Sequence, residues 1–224
     1  MSVVLDERLK AIPQKEKKFA RTRLALLKAL LDELREKSFD EIKIRDLCIR
    51  AEISEPTFYN YFPEKNHLLL YFIQIWSLEV SVYASRKKMD GSGYELLRSL
   101  FQYTAKKSRK NPRVIAEVIA FQAKTPPPKS IPPLTLAERY LYFPGAENIE
   151  SIPATGLDGL LERAIGTAIE RGELAPDTNV QSLFMAIAAL FFGIPIVARS
   201  AKKASHRLWE GALALLWRGA GGEV

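Results

Sequence analysis

The 224 residues, 47% hydrophobic and 26% charged, carry enough apolar material for a substantial core, which excludes a disordered or fibrous chain. A single cysteine, Cys48, excludes an internal disulfide framework, and the first residues lack the basic stretch, apolar run and cleavage site of a secretory leader, so a cytoplasmic protein is expected. The 33 basic against 26 acidic residues, a net +7, suit a polyanionic partner, but eight cations face three anions from Met1 to Leu31, whereas six face nine from Asp32 to Asn66.

From Gln14 to Lys37, Phe19, Leu26, Leu27, Leu30, Leu31 and Leu34 recur at three- and four-residue intervals without Gly or Pro, which predicts an amphipathic helix of about six turns. A short helix is predicted from Ile44 to Ala51, with Ile44, Leu47 and Cys48 on one face. Ser54 then offers an N-cap, with Pro56 in the first turn of a second short helix ending before Phe62-Pro63. Asn66 to Lys88 reads as a long helix stopped by Asp90-Gly91-Ser92-Gly93. Further helices are predicted at Tyr94–Lys110, Pro112–Ala123, Leu134–Tyr142, Gly156–Arg171, Thr178–Ser200 and Ala204–Arg218, and no strand signal competes with them. Thr125 to Pro133, with five prolines in nine residues, is predicted as an extended surface loop.

Leu183 to Ala198 is apolar at every position but Gly193. Its sixteen residues, interrupted by Gly193 and Pro195, fall short of the roughly 20 that span a bilayer, so no membrane partner is expected. A helix apolar on all sides suits burial between its own domain and a partner subunit.

Catalytic or metal chemistry finds little support. His67 and His206 have no ligand at a recognised metal spacing, Gly91-Ser92-Gly93 is a turn without the third glycine of a phosphate loop, and Cys48 lies on an apolar helix face. Neither an enzyme nor a cofactor is expected. The informative stretch is Arg23 to Leu69, where two short helices joined by a tight turn have the geometry that delivers a second helix into the DNA major groove. In Ser54-Glu55-Pro56-Thr57-Phe58-Tyr59-Asn60-Tyr61-Phe62, Phe58 and Phe62 anchor inward while hydroxyl, phenol and amide groups turn outward, which suits hydrogen bonding to phosphates and base edges.

These residues resemble the tetracycline-repressor (TetR) family of bacterial regulators. The likeness lies in Arg23, Lys37-Ser38-Phe39, Ile44-Arg45-Asp46-Leu47, Ala51-Glu52-Ile53-Ser54, Thr57 to Pro63, and Lys65 with Leu68, and is most specific at Tyr59 to Lys65. The chain departs from the family in having Ser38, Glu52 and Pro56 where glycine is usual, Lys43 where threonine is usual, and Glu55 where many members are basic. Glu52 costs on the order of 1 kcal/mol if the turn is left-handed there. Glu55 repels phosphate but is able to accept from a cytosine amino group. The resemblance implies that Lys43, Arg45, Ser54, Thr57, Tyr59, Tyr61 and Lys65 hold the DNA backbone, with Glu55, Pro56, Thr57 and Asn60 nearest the bases.

It further implies an all-α regulator with a helix-turn-helix DNA-binding domain over residues 1–65 and a helical ligand-binding and dimerisation domain over residues 66–224. Such a regulator is a homodimeric repressor released from a palindromic DNA operator by a small apolar or aromatic effector. Trp76, Tyr83, Tyr103 and Phe121, with Tyr140, Tyr142 and Phe143, are candidates for the effector pocket. Leu183, Ile187, Leu190 and Ile194, with Leu208, Leu215 and Leu216, are candidates for the dimer interface. The rival reading is a helical binding module of the same fold that has lost specific DNA binding, favoured by the negative balance of Asp32 to Asn66.

Overall fold

A computed structural model describes residues 3–89, 91–124, 132–200 and 205–223, and all regular structure among them is helical. Eleven helices are described: α1 (Val3–Lys10), α2 (Gln14–Glu33), α3 (Ile44–Arg50), α4 (Glu55–Tyr61), α5 (Lys65–Arg86), α6 (Gly93–Lys110), α7 (Pro112–Lys124), α8 (Leu136–Tyr142), α9 (Gly156–Glu170), α10 (Val180–Ser200) and α11 (Ser205–Gly219). Residues 125–131 of the expected proline loop and the side chain of His206 lie outside the described residues.

The chain divides into two compact units, one formed by Met1–Trp76 with Arg113–Ala154 and the other by Ser77–Pro112 with Thr155–Val224. This division by compactness differs from the sequence-based boundary at Lys65, because α7 and α8 pack with the helices of the N-terminal segment. In the first unit Leu26, Leu27, Leu30, Leu47, Phe58 and Phe62 are buried, and the Phe62 ring lies 5.6 Å from that of Tyr71 on α5. Arg23 of α2, 6% exposed, pairs at 3.0 Å with Glu138 of α8, 0% exposed, and its guanidinium lies 4.1 Å from the centre of the Tyr71 ring. Glu138 also completes a capping box with Thr135 at the start of α8. Burial and the Glu138 charge hold the Tyr71 phenol well above its ordinary pKa. α7 grips the loop between α2 and α3: the Glu117 carboxylate accepts from the Phe39 amide at 2.9 Å, and Lys124 pairs with Asp40 at 3.0 Å.

In the second unit Phe101, Phe191 and Trp209 stack with ring centres about 6 Å apart, uniting α6, α10 and α11. Gly93 is where α6 meets α9; a Cβ there would collide with the Ala164 carbonyl oxygen. The start of α6 is capped twice. Ser92 accepts from the Glu95 amide, and the Glu173 carboxylate accepts from the Gly93 and Tyr94 amides at 3.0 Å. Glu173 is placed by the turn after α9, where Gly172 takes a φ of +73°.

Three sequence expectations are revised. α1 is an additional helix, too short for its periodicity to stand out, with Leu9 buried. α2 stops at Glu33, and 34–36 form turns that lead to Lys37. α10 runs unbroken through Gly193 and Pro195, so the apolar run is not cut short there and Val180–Ala198 is long and apolar enough to cross a membrane by length and composition; proline has a helix-compatible φ and sacrifices one backbone bond that the surrounding helix tolerates.

Candidate nucleic-acid interface

The path from α3 to α4 is a Schellman turn. The Ile53 amide donates to the Cys48 carbonyl at 3.0 Å and the Glu52 amide to the Ile49 carbonyl at 3.2 Å, with Glu52 at φ +55° in the position that favours glycine. The backbone is thus left-handed at Glu52, the condition under which a side chain there costs about 1 kcal/mol. Ser54 then caps α4 by accepting from the Thr57 amide, and the two hydroxyls share a hydrogen bond of 2.8 Å. Phe58 is fully buried, which fixes the rotation of α4 and leaves Glu55, Pro56, Tyr59 and Asn60 exposed. Ser54 is exposed and Thr57 half-buried, but part of their hydrogen-bonding capacity is taken by each other.

Lys43 at the start of α3 and Arg45 in its first turn are both exposed, and neither makes an ion pair among the described residues. Two other cations of this region are committed. Glu33 of α2, 5% exposed, binds Lys37 at 2.7 Å and Arg50 at 2.6 Å, and the Lys37 hydrogen bond foremost, then Arg50, keeps its carboxyl below the ordinary range. Several of the acidic residues that give Asp32 to Asn66 its negative balance are therefore internal partners: Glu33, Asp46 with Lys37, and Glu41, which accepts from the Ser38 amide and hydroxyl.

Two candidates are placed differently from the expectation of free phosphate ligands. The Lys65 ammonium turns inward, donating to the Phe39 carbonyl at 2.7 Å and the Ile42 carbonyl at 2.9 Å over the Phe39 ring, and burial lowers its pKa. An ammonium has three donors and no acceptor, so a loop presenting several carbonyls satisfies it without an anion. Tyr61 is half-buried, with its ring 5.0 Å from Phe19. Cys48 is buried beside this surface, and its thiol pKa is raised by burial and by the charge of Glu55.

The seven aromatic effector candidates fall in both units. Tyr83 and Tyr103 meet in the second unit at 5.4 Å, whereas Trp76, Phe121, Tyr140, Tyr142 and Phe143 belong to the first. There Phe121 packs edge-on to Phe39, Tyr142 lies 4.9 Å from Phe143, and the Tyr140 hydroxyl donates to Glu150 at 2.8 Å. A cavity of about 290 Å³ in the second unit is lined by Tyr94, Glu95, Arg98, Phe101, Glu210 and Leu213.

On α10 the outward face differs from the one expected. Leu183, Ile187 and Ile194 are buried in the chain's own core and Leu190 is half-buried, while the other side carries Met185 (57% exposed), Ala189, Phe192 and Ile196 at helical spacing. Val197 is 59% exposed, and on α11 Leu215 is 73% exposed, with Leu208 and Leu216 half-buried. A helix apolar all round has no polar face to show which side turns inward; the stacking of Trp209 on Phe191 makes that choice.

Residues 26–72 match the model of bacterial regulatory proteins of the tetR family. Across most of its length the chain is similar in structure to Thermus thermophilus FadR, a TetR-family transcriptional repressor solved in complex with lauroyl-CoA, at 21% identity and a TM-score of 0.60, covering 87% of this chain and 92% of that one. It is also similar to a TetR transcriptional regulator from Rhodococcus sp. RHA1, at 17% identity and a TM-score of 0.59 over 90% and 97% of the two chains. A third likeness is to the fatty acid degradation regulator FadR from Bacillus halodurans, at 16% identity and a TM-score of 0.56 over 90% and 97%. No curated protein matches the chain by sequence.

Proposed function

Residues 26–72 being those of the tetR family of bacterial regulatory proteins, on a chain with the fold of its regulators, we propose that the protein is a cytoplasmic, homodimeric repressor whose hold on a palindromic operator is controlled by a small apolar or aromatic effector. A regulator of this family is not an enzyme. The observation that carries the reading is the exposed surface of α3 and α4, where Lys43 and Arg45 stand without anionic partners among the described residues beside Tyr59 and Asn60. Lys43, Arg45 and Tyr59 hold phosphates, and Glu55, Pro56, Thr57 and Asn60 lie nearest the bases. Ser54 shapes the start of α4, while Tyr61 and Lys65 brace the surface from behind.

Dimerisation through α10 and α11 is supported by the apolar side chains that one subunit leaves uncovered there, Met185, Val197 and Leu215 foremost. A two-fold protein in turn suits two half-sites one helical repeat apart.

The test is a gel shift with generic duplex DNA at low and moderate salt, followed by selection of bound sequences from a random pool. Binding that weakens steeply with salt and a recovered palindrome are expected; a folded protein that binds no DNA even at low salt overturns the reading. Lauroyl-CoA, with which the similar Thermus thermophilus FadR was solved, is a reasonable first effector probe. Linkage requires an inducing molecule to bind operator-bound protein more weakly than free protein, by the same factor by which it weakens DNA binding. Equal affinities for the two states would exclude induction by that molecule.

A further inference from the structure

In a helix-turn-helix unit the N-terminal residues of the second helix meet the base edges, and in this chain the first residue of that helix is an acid. Glu55 is exposed and makes no hydrogen bond or ion pair among the described residues. The neighbouring cations have other tasks, Lys37 and Arg50 neutralising Glu33 and Lys65 bridging loop carbonyls. An unneutralised carboxylate brought against a polyanion opposes binding unless it meets a hydrogen-bond donor, because an ionised carboxylate only accepts.

Phosphates provide no such donor. In the major groove the donors are the amino groups of cytosine and adenine, and they are not equivalent. Adenine N6 stands between two acceptors, its own N7 and the O4 of the paired thymine, either of which repels the second carboxylate oxygen, whereas cytosine N4 has an acceptor, guanine O6, on one side only and the C5 hydrogen on the other. Neither Ser54 nor Thr57 competes strongly for that edge, since their hydroxyls are hydrogen-bonded to each other at the cap. Pro56, exposed next to Glu55, has no side-chain polar group.

We propose that Glu55 is a specificity-determining residue that selects a C·G pair in each operator half-site by accepting a hydrogen bond from cytosine N4. The inference rests on the DNA-binding reading above and adds to it the identity of one base pair. The competing role for Glu55 is local: an acid in the first turn stabilises a helix through its dipole and reads nothing.

The experiment is selection from a random duplex pool with the parent, Glu55→Ala and Glu55→Gln, with thermal unfolding to confirm that each is folded. The parent is expected to enrich a C·G pair at one position per half-site. Glu55→Ala loses that preference, worth roughly 5- to 150-fold for a good base contact, yet binds random DNA at least as tightly because a negative charge has gone. Glu55→Gln moves the preference toward A·T, since a carboxamide both donates to adenine N7 and accepts from N6. If all three proteins enrich the same base at every position, the proposal is overturned while DNA binding stands. If the folded parent binds no DNA, the functional reading itself fails and takes this inference with it.

Discussion

Two exposed surfaces among the described residues differ in kind. The α3–α4 surface is mostly polar, exposing Lys43, Arg45, Glu55, Tyr59 and Asn60 with Ile49 and Pro56 as its apolar exceptions, on helices of seven residues held by a cap, a Schellman turn and the Glu33 ion pairs. The outer side of α10 exposes Met185, Ala189, Ile196 and Val197 on a helix of 21 residues. Polar groups facing water lose little by waiting for a partner, so the first surface is stable alone and suits a hydrated polyanion. Apolar side chains facing water favour being covered, and the second surface suits a lasting interface. α5 supplies the control: it too is long and apolar enough to cross a membrane, but 83% of its apolar stretch is buried within the chain, against 22% for Val180–Ala198. Composition alone does not separate a core helix from an interface helix; the share left exposed does.

The contrast is sharpest within α10 itself. Ile187→Ala, on its fully buried side, should lower stability by about 2–5 kcal/mol through cavity formation, read as a fall in the denaturant midpoint at every protein concentration. Met185→Asp, on the outer side, should leave the subunit's own packing nearly intact but raise the dimer dissociation constant by at least about tenfold, since a carboxylate buried without a partner costs several kcal/mol. Sedimentation over a concentration series reads this effect, and a monomeric parent would break the comparison at once. On the polar surface, Tyr59→Ala should weaken specific and non-specific DNA binding alike by about 1.5 kcal/mol with no change in oligomeric state, the signature of a lost hydrogen bond to phosphate. A change in base preference instead would move Tyr59 to the reading side of α4. The smallest effect is a gain: Glu52→Gly should add up to about 1 kcal/mol of stability by relieving the left-handed strain at φ +55°. Chemical denaturation measures it, and an unchanged midpoint would mean that the greater freedom of glycine in the unfolded chain cancels the relief.

Acid should separate the regions as well. The Glu33 carboxyl is held below its ordinary value of 4.5 by Lys37 and Arg50, so its contribution is complete above that value and is lost as the pH falls through the lowered one. The α2–α3 junction should loosen there first, visible as faster amide exchange along α3, while the stacked core of Phe101, Phe191 and Trp209, which holds no charge, should persist.

By itself the sequence determined every described helix but α1, most of their ends, and the motif from Ile44 to Phe62. Those features depend on neighbours a few residues apart: the three- and four-residue recurrence of Leu26, Leu30 and Leu34, the Ser54 cap, and the Asp90-Gly91-Ser92-Gly93 stop. Even the strain at Glu52 was legible, because the Schellman position has a fixed place after a helix. Tertiary structure decided matters that no local period encodes. Which side of α10 is inside was open because Leu183, Met185 and Ile187 are equally apolar, until α11 and α6 stacked on Phe191. Lys65 looked like a phosphate ligand because lysine and a helix start suggest one, but the carbonyls of Phe39 and Ile42 come within its reach only once the loop has folded. Arg23 meets Glu138, and Glu173 meets the start of α6, across separations of more than 75 residues along the chain. Each of these charges had many possible partners in sequence, and only packing, which makes an unpaired buried charge prohibitive, selected one.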